Sequence, residues 1–126
     1  MTAINETQNL GDLLKYEEDH LRYSREVATV AAGQKLTLGT VVARETASAK
    51  LMQLDPLATD GSENPIGVLL NDVDASLIDV QDALLLNRHA VLASECVIWP
   101  AGITAAAKTA AIGALADLGI LIRQSA

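Results

Sequence analysis

Apolar residues along this chain fall into short runs whose period changes once, late in the sequence. EVATV (26–30) and KLTL (35–38) alternate apolar and polar positions, and GTVVARE (39–45) follows with a continuous apolar centre. Alternation over four to eight residues is the mark of a strand with one buried face, and a continuous run of that length the mark of a strand buried on both. KLMQLDP (50–56) predicts another strand after the polar turn ETASA (45–49). DPLATDGSENP (55–65) is so dense in turn-forming residues that it predicts a loop. IGVLL (66–70) predicts a buried strand and NDVDASLIDVQD (71–82) an acidic connection. ALLLNRHAVL (83–92) is strand-like, although Leu and Ala leave its type open. CVIW (96–99) ends against Pro100, which has no N–H for a ladder and so marks the exit from a strand.

Beyond Pro100 the period becomes helical. AGITAAAKTAAIGALADLG (101–119) is Ala-rich, with Thr104 placed to cap the first turn and Gly119 where a helix C-terminal glycine belongs. Ala111, Ile112, Leu115 and Leu118 form its stripe, with Lys108 snorkelling at the start of that stripe. ILIR (120–123) predicts a final short strand. Before residue 26 the chain is polar and charged. Leu10, Leu13, Leu14 and Leu21 fit one side of a short amphipathic helix capped by Asp12, and the same stretch reads equally as a disordered terminus. Many strands, one helix and one strand give the α+β class: a compact, mainly-β single domain at 26–126 with short antiparallel strands and one C-terminal helix, preceded by a flexible N-terminal arm at 1–25.

Composition narrows what such a domain does. Half of the 126 residues are hydrophobic (50%) but only 2% are aromatic, with no Phe and a single Trp, so the core must be Leu, Ile, Val and Ala. A core without large anchors is naturally extended by self-association. The net charge of -7 argues against nucleic acid, whose binding is dominated by phosphate neutralisation. No apolar stretch approaches the ~20 residues that span a bilayer, and the acidic N-terminus has no signal-peptide pattern, so the expectation is synthesis in a cytoplasm and no membrane partner. A single Cys cannot close an internal disulfide.

Searches for chemistry return little. Asp72, Asp74, Asp79 and Asp82 suggest a cation site, yet a calcium loop starting at Asp72 has Leu77 where Gly is required and Ala83 where a bidentate Glu is required. A Cys96 nucleophile needs a nearby base, and His89, seven residues earlier, falls on the opposite face of a regular strand unless Ser94 and Glu95 turn. His20 lies in the charged arm and reads as solvated. Neither a phosphate-binding glycine loop nor a Ser nucleophile elbow is present. The expectation is no catalytic residue, no metal and no cofactor: a binding or structural module.

Four stretches in order, SREVATVAAGQKLTLGTVVAR (24–44), LDPLATDGSENPIGVLLNDVDAS (54–76), RHAVLASECVIWP (88–100) and AAIGALADLGILIR (110–123), resemble the head decoration proteins of tailed phages. The resemblance implies a homotrimer made in the host cytoplasm that docks on the outside of the expanded capsid at three-fold and quasi-three-fold positions and steadies the head against internal DNA pressure. Its partner is the major capsid protein, met by strand addition from the N-terminal segment. The segment expected to make that contact is Tyr23, Ser24, Arg25, Glu26, Val27, Ala28, Thr29 and Val30. Trp99 and Pro100 are expected to close a core strand and to lie in the subunit core or at the trimer contact. The alternative reading is another small oligomeric virion adaptor or fibre component.

Overall fold

The computed structural model describes residues 10–18 and 23–124. The chain runs through α1 (Leu10–Leu13), β1 (Leu14–Glu17), β2 (Arg25–Val30), β3 (Gln34–Leu36), β4 (Val41–Arg44), β5 (Leu51–Gln53), β6 (Pro65–Leu69), β7 (Val73–Ala75), β8 (Val80–Leu86), β9 (Ala90–Ala93), a 3₁₀ turn (Ser94–Cys96), α2 (Ala105–Asp117) and β10 (Ile120–Arg123). The α+β, mainly-β architecture expected from the sequence is what the chain adopts.

The continuous apolar runs have a specific cause. Successive side chains on a strand point to opposite faces. In β4, β6 and β8, Val42, Leu69 and Leu85 join one buried cluster with Ala28, Val30, Leu36, Leu51 and Val73. Their neighbours Val41, Val68 and Leu86 join a second, with Leu13, Leu38, Leu54, Leu92, Leu115 and Ile120. The first cluster fills a closed barrel of strand order β2-β5-β4-β6-β8, and β3-β7 forms a separate two-stranded ribbon. The second lies between the barrel wall and a layer made of α2 and a three-stranded sheet, β1-β9-β10. Close approach within the wall requires Gly67, where a Cβ would stand 2.2 Å from the Leu86 carbonyl oxygen.

The terminal helix forms as its sequence dictates. Thr104 Oγ1 accepts a hydrogen bond from the Ala107 N–H at 3.1 Å, and Gly119 takes φ +82° at the C-terminal end. Ala111 and Leu115 are buried, whereas Leu118 ends the helix 38% exposed and so leaves the expected stripe. Lys108 Nζ lies 5.7 Å from the centroid of the Trp99 ring.

Two local readings are corrected. CVIW is not a continuous strand: Cys96 sits in the 3₁₀ turn and only Ile98 makes a ladder contact, donating to the Gly39 carbonyl (2.8 Å) and accepting from the Val41 N–H (3.1 Å). The ladder is also not wholly antiparallel. β10 returns parallel to β9 after the α2 crossover, and β2 meets β5 in parallel at Val30 and Leu51. The boundary drawn at 25/26 coincides with no break among the described residues, because β1 pairs antiparallel with β9 and the Leu13 side chain is 0% exposed.

This placement ranks two substitutions against their size. Leu13→Ala should cost about 3 kcal/mol, whereas Trp99→Ala should cost only about 2 kcal/mol, because the larger ring is half-buried at the margin of the same cluster. Chemical denaturation of both variants checks the order, and a Leu13→Ala protein as stable as the parent would detach residues 10–17 from the fold.

Candidate functional site

Among the described residues β1 is an edge strand, with β9 on one side. Leu13 anchors its start in the core, and Leu14 packs against the same cluster. Lys15 and Tyr16 point to solvent, the polar and aromatic dress of an exposed edge. The end of β1 is held by a clasp. Arg25 Nε donates to Glu17 Oε2 at 2.7 Å and Arg25 Nη2 to Glu17 Oε1 at 2.5 Å, a bidentate pair that raises the Arg25 guanidinium above its ordinary range. Ser24 is 0% exposed. Its Oγ accepts from the Glu18 N–H (2.9 Å) and lies within donating distance of the carbonyls of Glu18 (3.0 Å) and His89 (2.9 Å). A single hydroxyl thereby ties the segment before β2 to the turn before β9. Beside it the Tyr23 ring stacks on His89, centroids 5.3 Å apart, and Arg88 donates to the Tyr23 carbonyl.

Of the arm residues singled out in the sequence, Tyr23, Ser24 and Arg25 belong to this clasp, and Arg25 also opens β2, which continues through Glu26, Val27, Ala28, Thr29 and Val30 in the barrel wall. There β2 pairs with β8 from Arg25↔Leu86 to Val30↔Val80. Its seam with β5 is closed at Val30 and crossed by the Arg44–Glu26 ion pair at 3.2 Å. Trp99 packs on the core edge. Pro100 lines a groove of about 460 Å³ between the 54–62 loop and the start of α2, with Leu54, Pro56 and Ile103, and Leu57 stands 93% exposed at its rim. His20 lies outside the described residues.

The acidic residues have structural work. Asp72 Oδ1 accepts from the Leu38 N–H (2.8 Å), Asp74 Oδ1 from the Ser76 N–H (3.1 Å) and hydroxyl (2.5 Å), and Asp60 Oδ1 from the Ser62 N–H (3.0 Å) and hydroxyl (2.5 Å). Asp79 takes Lys50 Nζ at 2.5 Å and the Ala32 N–H at 2.8 Å. These donors hold the carboxyls of Asp60, Asp74 and Asp79 below the ordinary carboxylate range. Among the described residues no group of three His, Cys, Asp or Glu side chains could hold a metal ion. Ser94 and Glu95 do form the turn that a Cys96–His89 pair would need, but the His89 ring is engaged with Tyr23. No local sequence signal marks the clasp, since its partners lie up to 65 residues apart.

A family model for the bacteriophage lambda head decoration protein D matches residues 3–120, which takes in everything from α1 to the first residue of β10. The chain belongs to this family. A search of curated proteins finds no match. The role that follows is capsid decoration, as a structural component of the phage head, and the family is not an enzyme class. Among the described residues no helix is long and apolar enough to cross a membrane.

Two measurements check the geometry of the site. Ser24→Ala removes the hydroxyl from these part-buried bonds and leaves the Glu18 N–H only the long 3.4 Å contact with the His89 carbonyl, at a cost of about 1 kcal/mol. Hydrogen exchange should therefore quicken at Glu18 and along β1 while barrel amides keep their protection, and unchanged exchange at Glu18 would contradict the clasp. Because folding depresses the Asp60, Asp74 and Asp79 carboxyls, their contribution to stability is present above the ordinary carboxylate range and is lost as pH falls through the lowered values. Carboxyl carbon NMR should show these three titrating below an unstructured Asp peptide, and midpoints at or above that reference would remove their anchoring role.

Proposed function

We propose that the chain assembles as a homotrimer, binds the major capsid protein on the outside of the expanded head at three-fold and quasi-three-fold sites, and stabilises the head against internal DNA pressure. Membership of the head decoration family carries this reading. The structure adds a physical means. A sheet edge offers a row of main-chain donors and acceptors to an incoming strand. Among the described residues β1 is such an edge in the N-terminal region, whereas β2 lies in the barrel wall. The contact is therefore assigned first to β1, with Tyr23 and the exposed side chains of β2 beside it.

A trimer presents that edge three times. Each further contact forms at the effective concentration set by the first, so avidity can exceed a single contact by ~10²- to 10⁴-fold. Binding only the expanded shell then favours that state by mass action. Pro100, with Leu57 exposed at the rim of its groove, stays the candidate for the contact between copies. Neither nucleic acid nor a lipid bilayer is a partner in this reading, and no cofactor takes part.

Two solution measurements test it together. Sizing should give a particle of three 13.2 kDa chains, and co-sedimentation with purified expanded shells should saturate near one chain per capsid subunit. A stable monomer, or equal binding to unexpanded shells, would contradict the proposal.

A further inference from the structure

We propose that the mouth of the barrel beside the clasp is a receptor for a carboxylate side chain carried by the shell-protein segment that lies against β1. This rests on the attachment reading above. At this mouth β2 begins, β4 ends, β6 begins and β8 ends, enclosing a concavity of about 450 Å³. Its polar wall is Glu26, Arg44, Asn87 and Arg88, with Tyr23 and Leu118 at the side toward the three-stranded sheet. Two guanidiniums share one carboxylate: Arg44 Nη2 lies 3.2 Å from Glu26 Oε1 and Arg88 Nη2 lies 3.7 Å from Glu26 Oε2. Asn87 Nδ2 donates to the same Glu26 Oε2 at 2.5 Å.

Charge complementarity identifies the occupant. The chain carries -7 overall, yet among the described residues the ion pairs here set two cations against one carboxylate. The Arg44 and Arg88 side chains are each about a third exposed, at 32% and 35%, so neither is sealed off from an incoming group. A guanidinium presents five donors in a planar fork that matches a carboxylate. Their remaining identified bonds go to the carbonyls of Ala49 and Tyr23, which fix the forks without neutralising them. The concavity lies where β1 ends, because Glu17 pairs with Ala90 and Arg88 is bonded to Tyr23. A strand added to β1 therefore passes beside it, and a carboxylate near that strand's end meets the two arginines while the main chain is being paired. One site reads backbone and the other reads charge.

Opposite-sign substitutions test this. Arg44→Gln removes one fork without touching the clasp, and Glu26→Gln removes the internal competitor while keeping an acceptor for Asn87. Titrating the full chain onto expanded shells at low and high salt, Arg44→Gln should weaken attachment about tenfold and flatten its salt dependence, and Glu26→Gln should tighten attachment and steepen that dependence. Equal attachment of both variants and the parent would overturn the proposal, and so would equal weakening by both, which marks a structural role. A change in the size of the free protein with attachment unaltered would reassign the mouth to contact between copies and overturn it as well. Failure of the parent itself to attach would remove the functional reading and this receptor with it.

Discussion

The structure depends on one packing constraint: β4, β6 and β8 carry apolar side chains on both faces. With aliphatic residues alone available, one face closes on itself as a barrel and the other must be covered by something else. The covering layer is α2 and the sheet that β9 and β10 form around it. That layer has room for one more strand, and the N-terminal segment supplies it, with Leu13 driven into the same cluster as Leu86 and Leu115. An edge strand on the outside of the molecule is thus a consequence of covering the barrel wall.

Polar groups then fix what burial leaves loose. The clasp of Ser24, Glu17 and Arg25 sets where β1 stops, and Asp–Ser turns and the Lys50–Asp79 pair hold the loops between strands. Most carboxylates seen at hydrogen-bond distance serve such turns or pairs. Among the described residues the arginines of the barrel mouth outnumber the acid they share, which sets a local cationic notch on a chain of net charge -7. On the proposed reading, the negative surface keeps the protein soluble while the notch recognises one place on a shell.

Local signals made much of this fold legible in the sequence. Thr104 and Gly119 bracket the helix because capping is decided within a few residues, and the doubled apolar positions at Val41/Val42 and Leu85/Leu86 announce strands buried on both faces. What was illegible depends on distant partners. Ile98 looks like the middle of a strand, but its bonds to Gly39 and Val41 span more than half the barrel sequence. LKYE at 14–17 has no β-branched residue and alternates over only four positions inside a polar segment, too short a pattern to mark a strand until β9 supplies the ladder. EVATV at 26–30 does read as a strand, but that pattern does not say whether a strand lies at an edge or in a wall. The arginine notch unites Arg44 and Arg88 only through barrel closure.

On the proposed reading the shell protein pairs with the outer edge of β1 while β1 stays on β9. A cryo-electron microscopy reconstruction of expanded shells saturated with the protein tests it most directly. The account predicts continuous sheet density in which residues 14–17 lie between β9 and a strand of the shell protein. Density showing β1 stripped from β9, or the shell gripping a face remote from this edge, would contradict it.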